Sequence, residues 1–198
     1  LDMGTGGGEF LSKLQPFPET VYATEGYPPN VAIAKERLEP LGVKVVQITE
    51  DTFLPFQDQS FDLVINQHES YCPKEVRRIL VDKGSFITQQ VGGLDCIQLN
   101  KAMDVPLNQE YADWNLDMAL QDIIQYGFRV KNCKEAFPLQ RFYDIGAVVY
   151  YLKAIPWQVT DFQVENHLEN LYEIHRIIEK KGYFDARQHR FFIEATAD

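Results

Sequence analysis

Four glycines and an acidic residue near the start of the chain form the pattern with the clearest chemical meaning. Glycine allows the backbone to turn tightly and to approach a ligand closely. The dinucleotide-binding fingerprint is not met, because Glu9 stands where a third small residue is required and its carboxylate would repel a pyrophosphate. The spacing that the sequence does satisfy is Asp2-x-Gly4-x-Gly6-x-Gly8, with Glu25 further along the chain. A carboxylate at Glu25 can accept hydrogen bonds from two ribose hydroxyls and disfavours a 2′-phosphate, so the pattern indicates a ribose-binding site.

A second polar group follows the predicted fourth strand. Asn66, Gln67, His68 and Glu69 come at the carboxyl end of this strand, which is where open α/β sheets bind ligands. An imidazole titrates close to neutral pH, so His68 is a candidate general base. The alternative is that His68 packs, or orders the loop together with Glu69. Both interpretations stay open on the residues alone.

The elements that must position these residues alternate between strand-like and helix-like patterns. Such alternation is typical of an α/β fold with a parallel sheet covered by helices. The segment 142–154 fits either a buried helix or a strand, because short runs of β-branched and aromatic residues are ambiguous. The patterns predict strands at 1–3, 20–24, 43–48, 60–66, 84–90, 128–136 and 190–196, and helices at 9–14, 28–41, 73–81, 111–126 and 164–181.

Composition limits the classes of protein and partner. The 198 residues allow one domain with an insertion, and 45% hydrophobic residues predict a folded chain. The net charge is −10, from 19 Lys+Arg and 29 Asp+Glu, so nucleic acid is a disfavoured partner. No apolar run is long enough to span a bilayer and no signal segment is present, so we expect a cytoplasmic protein without membrane contact. Three separated cysteines, Cys72, Cys96 and Cys133, predict buried thiols and neither a disulfide framework nor a metal site.

Further motifs extend the glycine pattern into a resemblance to a known family. Residues 51–64 (DTFLPFQDQSFDLV), 75–80 (EVRRIL) and 83–86 (KGSF) are similar to passages of the class I S-adenosylmethionine-dependent methyltransferases, in the methyltransferase type 11-like branch. Lys83 departs from the glycine of that pattern, at a turn. The resemblance covers about residues 1 to 95. It implies a Rossmann-like, doubly wound sheet of seven strands, mostly parallel with the last strand antiparallel, and helices on both faces.

The resemblance also implies a cofactor, S-adenosyl-L-methionine, whose product is S-adenosyl-L-homocysteine, and the residues that hold it. The glycine loop with Asp2 would surround the methionine part, and Glu25, beside Gly26, would bind the ribose. Asp51 or the adjacent Glu50 would reach the adenine amine, and Asn66 would lie close to the transferring methyl group. The expected cofactor-binding set is Asp2, Gly4, Gly6, Gly8, Glu25, Gly26, Glu50, Asp51, Thr52, Phe53 and Asn66.

The methyl acceptor is expected to be a small molecule. A segment at about 137–182 would be an insertion that caps the pocket of a single domain, and the helices that usually precede the first strand are expected to be missing here. An RNA methyltransferase and a non-catalytic S-adenosylmethionine-binding module are the alternatives, and the oligomeric state stays open. The candidate substrate-binding residues are Gln67, Glu69, Tyr71, Gln90, Tyr143 and Trp157.

Overall fold

Two units, each with its own core, make up the chain in a computed structural model that describes all residues from 1 to 198. The first unit comprises residues 1–90, 119–134 and 192–198. The second comprises residues 91–118 and 135–191, and the predicted insertion at about 137–182 lies inside it. The role of that segment as a substrate cap stays a prediction.

Nine strands and six helices follow one another along the chain. The strands are β1 (Asp2–Met3), β2 (Val21–Glu25), β3 (Val43–Gln47), β4 (Phe61–Gln67), β5 (Leu80–Val91), β6 (Phe128–Ala136), β7 (Leu139–Phe142), β8 (Phe184–Arg187) and β9 (Arg190–Ala197). The helices are α1 (Pro28–Leu38), α2 (Pro73–Ile79), α3 (Ile97–Met103), α4 (Leu116–Gln125), α5 (Ile145–Ala154) and α6 (Leu168–Lys181).

Seven strands form one sheet in the order β3-β2-β1-β4-β5-β9-β6. The first five are parallel to one another, and β9 is the antiparallel strand between β5 and β6. In β1, Asp2 pairs with Ala23 of β2 on one side and with Ile65 of β4 on the other. The chain order reverses at β1 and β4, and this topological switch point is where ligands bind in doubly wound sheets. The predicted sheet is confirmed.

Apolar spacing explains how the elements beside this switch point form. In α1, Val31, Ala34 and Leu38 are buried at intervals of three and four residues, and the helix packs on β3. Pro28 stands at its first turn, where a missing N–H costs nothing. These contacts anchor β2 and β3 beside the switch point.

The sequence prediction was wrong at several elements. The helix expected at 9–14 is only a three-residue 3-10 turn, Leu11–Lys13, because Pro16 and Pro18 follow and a helix rarely continues into a proline. Helix α2 ends at Ile79 rather than residue 81, since β5 already begins at Leu80. The ambiguous segment is helical in α5, and α3, β7 and β8 were not predicted.

The second unit has a separate apolar core between helices and a two-stranded sheet. Buried residues of α3, α5 and α6 pack with Phe184 and Ala186 of β8, which pairs antiparallel with β7. Arg141 of β7 binds both carboxylate oxygens of Asp185, at 2.7 and 2.8 Å. Cys96 belongs to this core.

The burial of the cysteines and the length of the helices test two further expectations from the sequence. Cys96 is buried and Cys72 is half-buried, but Cys133 is exposed on β6, so the expectation of buried thiols was wrong for Cys133. It lies in a run of exposed residues, 131–135, on this strand. None of the six helices combines the length and the apolar content that crossing a membrane requires.

Candidate functional site

A cleft of about 330 Å³ lies in the first unit at the carboxyl ends of the parallel strands. This volume is within the range of small-molecule sites, which begins at about 300 Å³. The segments that follow β1, β2, β3 and β4 all contribute to its wall, so the topology itself brings them together. The lining residues are Met3, Gly4, Thr24, Glu25, Gly26, Tyr27, Ile48, Thr49, Glu50, Asp51, Glu69 and Ser70.

Glu25, the last residue of β2, binds the glycine loop and the first residues after its own strand. One carboxylate oxygen accepts a hydrogen bond from the N–H of Gly6 at 2.7 Å, and the other accepts from the N–H of Tyr27, also at 2.7 Å. Glu25 is only 5% exposed. Each oxygen keeps capacity for a further hydrogen bond, because an ionised carboxylate offers about four acceptor sites. The carboxylate therefore orders the loop and can still receive ligand hydroxyls.

Gly4 follows β1 directly and is in contact with Glu69. Its φ is +67°, which glycine adopts without strain. A Cβ at this position would overlap Cγ of Glu69 and lie 2.9 Å from its Oε2. Only a glycine leaves room for the Glu69 side chain at this wall of the cleft.

Asn66, the predicted residue at the end of β4, is buried in a network of amide groups. Its Oδ1 accepts hydrogen bonds from Thr88 Oγ1 at 2.9 Å and from Gln90 Nε2 at 2.7 Å. Gln90 also donates to the carbonyl of Glu69 at 3.0 Å. Asn66 and Gln90 thus hold the loop that carries Glu69 and Ser70 against the sheet. Neither residue lines the cleft itself.

The loop after β3 carries the residues expected to face adenine. Glu50 and Asp51 line the cleft, and Glu50 accepts a hydrogen bond from Thr52 Oγ1 at 2.6 Å. Thr52 and Phe53 do not line it, and Phe53 is 67% exposed. The loop is therefore open on this side.

Helix α2 fixes the continuation of this loop. Arg78 donates to the carbonyls of Leu54 and Phe56 at 2.9 and 2.8 Å, and Glu75 accepts from the N–H of Leu54 at 2.9 Å. Glu75 and Arg78 also bind each other at 2.7 Å. Both residues belong to the 75–80 motif, and their contacts explain why an acid and an arginine stand three residues apart in it.

His68 begins the loop after β4 with a left-handed backbone, at φ +59°. Its N–H donates to the carbonyl of Gln89 at 2.8 Å, and its ring Nε2 lies 3.1 Å from Nε2 of Gln89. The side chain is exposed. Gln67, the last residue of β4, pairs with Gln89 in β5. His68 is thus an accessible ring beside the strand ends, but it does not line the cleft.

The remaining predicted residues lie in other surroundings. Asp2 is buried in β1, and burial raises the pKa of its carboxyl. Gly6 and Gly8 belong to the loop but do not line the cleft. Tyr71 packs edge to face on Phe86, and its buried hydroxyl has no hydrogen-bond partner. Its surroundings are those of a core side chain. Tyr143 and Trp157 belong to the second unit, where they are 68% and 62% exposed.

Negative charge dominates the cleft. Its lining contains four carboxylates and no lysine, arginine or histidine. Glu69 is exposed as a residue, yet partial burial of its carboxylate in the cleft raises its pKa, and the charges of Glu25 and Asp51 raise it further. A group with positive charge would relieve this repulsion. No three His, Cys, Asp or Glu side chains are grouped as a metal site requires.

Comparisons with known proteins agree with this geometry. Residues 1–88 match the family described as Methyltransferase domain. These residues, which are less than half of the chain, carry the sequence pattern of a methyltransferase domain. No curated protein matches the sequence significantly. The predicted recognition of a class I methyltransferase and of an enzyme is confirmed, and the methyltransferase family implies S-adenosylmethionine as the methyl donor.

Solved structures share the fold of this chain along nearly its whole length. A proposed methyltransferase from Bacillus halodurans has a TM-score of 0.70 and 17% identity, and the alignment covers 99% of this chain and 90% of that protein. The YcgJ protein from Bacillus subtilis has a TM-score of 0.68 and 14% identity, with 98% and 89% covered. A proposed sarcosine dimethylglycine methyltransferase from Galdieria sulphuraria has a TM-score of 0.58 and 15% identity, with 100% and 77% covered.

The polar groups that line the cleft fit the cofactor that the family implies. Glu25 has spare acceptor capacity for hydroxyls, and the acidic lining suits a cationic sulfonium. Thr24, which lines the cleft, has a buried hydroxyl without a hydrogen-bond partner. Sequence reasoning missed half of the lining, including Thr24 and Tyr27. Their places directly before and two residues after Glu25 were the signal that could have identified them.

Proposed function

We propose that this chain transfers the methyl group of S-adenosylmethionine to a small-molecule acceptor. The observation that carries the proposal is the cleft in which Gly4, Glu25 and Asp51 meet at the switch point of a methyltransferase sheet. An acidic cleft and a net charge of −10 support a small acceptor rather than an RNA backbone. The neighbour described as a sarcosine dimethylglycine methyltransferase supports the same class, since both compounds in that description are small amines.

In this proposal the glycine loop and Glu25 bind the cofactor. Glu25 accepts hydrogen bonds from the ribose hydroxyls while its backbone partners keep the loop in place. Asp51 or Glu50 accepts from the adenine amine. Asn66 supports the floor near the methionine part through its network with Gln90.

Bound S-adenosylmethionine supplies an activated methyl group on a sulfonium, so the protein mainly has to align donor and acceptor. An acceptor that carries a proton needs a base that removes it. His68 is the proposed base, because it is accessible and lies at the carboxyl end of β4. Gln67 and Glu69 are proposed to contact the acceptor from the same loop. The substrate contacts of Tyr143 and Trp157 stay predictions from the sequence.

Calorimetry with S-adenosylmethionine and S-adenosylhomocysteine tests the binding part of the proposal. Both compounds should bind in a one-to-one ratio, and turnover should then appear in a panel of small amines, alcohols, thiols and carboxylates. Binding without turnover across the panel would favour a non-catalytic module. Absence of binding by both compounds would refute the proposed function.

Substitution of His68 tests the base. His68→Ala should lower kcat about 100-fold or more, the ordinary contribution of general-base catalysis, with little change in cofactor affinity. His68→Gln is the matched variant that keeps a polar side chain. Unchanged kcat in both variants would assign His68 to loop structure.

A further inference from the structure

Glu69 is a carboxylate of the cleft that receives only weak hydrogen bonds from protein donors. Glu25 binds two backbone N–H groups at 2.7 Å, and Glu50 binds the Thr52 hydroxyl at 2.6 Å. Glu69 Oε1 has only long contacts to the N–H and hydroxyl of Ser70, at 3.3 and 3.4 Å. Protein donors therefore compensate its charge only weakly.

The position of Glu69 is nevertheless well defined. Gln90 holds its backbone carbonyl at 3.0 Å, and its side chain occupies the space that a Cβ on Gly4 would fill. Oε2 lies toward the first glycine of the loop, at the wall of the cleft. A fixed, poorly compensated carboxylate in a cleft without cationic side chains is suited to interact with positive charge on a ligand.

We propose that Glu69 makes the cleft discriminate between the cationic methyl donor and its neutral product. This inference rests on the proposed function and assigns Glu69 to the cofactor in place of the acceptor. S-adenosylmethionine carries a sulfonium, whereas S-adenosylhomocysteine has an uncharged thioether at the same atom. Both carry the same ammonium and carboxylate, so a carboxylate that senses the sulfonium changes the ratio of the two affinities. Glu69 thereby favours the donor over the product when both compete for the cleft.

The experiment measures the dissociation constants of three ligands by calorimetry at neutral pH. The first two are S-adenosylmethionine and S-adenosylhomocysteine. The third is sinefungin, in which a carbon that bears an amino group replaces the methylated sulfur, so that it carries a cation at the methyl position without a sulfonium. Glu69→Gln keeps the shape of the side chain and removes its charge. This variant should weaken the binding of S-adenosylmethionine and of sinefungin about tenfold, as expected for one carboxylate–cation pair in partly solvated surroundings. The binding of S-adenosylhomocysteine should weaken less than about twofold.

Two matched variants separate charge from shape. Glu69→Asp keeps the charge and should retain most of the preference for the cationic ligands. Glu50→Gln removes a charge from the same cleft and should leave the ratio of the three constants within about twofold, because Glu50 is bound to Thr52 at the adenine side of the cleft in the proposed arrangement. Thermal unfolding of each variant confirms that it is folded.

The outcomes separate this inference from the function on which it rests. If the wild-type protein binds none of the three ligands, the proposed function fails. If it binds them and Glu69→Gln weakens all three equally, Glu69 senses a group that they share and the inference is overturned. Unchanged constants in Glu69→Gln overturn it as well.

Discussion

Glu25 shows how one side chain can serve both the fold and the ligand. Its carboxylate is buried, accepts two backbone hydrogen bonds and lines the cleft. Hydrogen bonds to a charged group contribute about 1.5–3 kcal/mol each. The loop from Gly4 to Gly8 therefore depends on Glu25 before any ligand binds.

Glu25→Ala should weaken cofactor binding at least about tenfold, because it removes ligand contacts and frees the Gly6 amide. Hydrogen exchange of the loop amides should accelerate in the same variant without ligand. Asp51→Ala is the control for hydrogen exchange, since it removes a carboxylate of the cleft that is not bonded to the glycine loop and should leave the exchange of the loop amides unchanged. Unaltered affinity in Glu25→Ala would contradict the ribose assignment.

The spacing of residue types in the sequence predicts some residues of the site but not their contacts. Gly4 and Glu25 were predicted from the pattern alone, because a loop after one strand and an acid after the next meet at the same edge of a parallel sheet. The contact between Gly4 and Glu69 could not be predicted, since it depends on the path of a loop 65 residues later. For the same reason the sequence suggested an acceptor contact for Glu69, while the geometry places its side chain against the glycine loop.

At the scale of elements, α2 supports the cleft without reaching it. Glu75 is 7% exposed and binds Arg78 and the Leu54 N–H, and Arg78 binds two carbonyls of the loop after β3. The Arg78 hydrogen bond is the main cause that holds the pKa of Glu75 below its ordinary value, although burial acts in the opposite direction.

Glu75→Gln should lower the free energy of unfolding by about 1–3 kcal/mol at pH 7. The folded-state pKa of Glu75 is depressed, so its stabilisation is present above its ordinary value of 4.5 and is lost as the pH falls through the lower folded-state value. Urea unfolding at pH 7 and at about pH 3 measures this difference. A destabilisation of equal size at both pH values would mean that shape, and not charge, makes the difference.

Local patterns predicted the central elements better than those of the second unit. The alternation in β9, where every second residue is buried, is visible in the letters. Strand β7 is different, because Leu139 and Phe142 pair with residues more than 40 positions later in β8. Helix α3 follows a left-handed residue, Cys96, and has only seven residues, so it offers little periodicity.

For the whole molecule, charge and topology have separate meanings. A net charge of −10 weakens binding to a nucleic acid backbone and so supports the proposed small acceptor, but it does not determine the fold. The division into units does depend on topology, because each unit is assembled from segments that are distant in the chain. The match at residues 1–88 covers the strands that build the cleft and omits β6 and β9.

The place of β9 in the middle of one side of the sheet has a consequence for synthesis on the ribosome. Strand β5 is complete at residue 91, but the neighbour that covers its edge is residues 190–197. About a hundred residues are therefore translated while that edge is unpaired and open to pairing with another chain. The nascent protein is exposed to aggregation over this interval, and slow translation or limiting chaperones should reduce its yield more than its final stability.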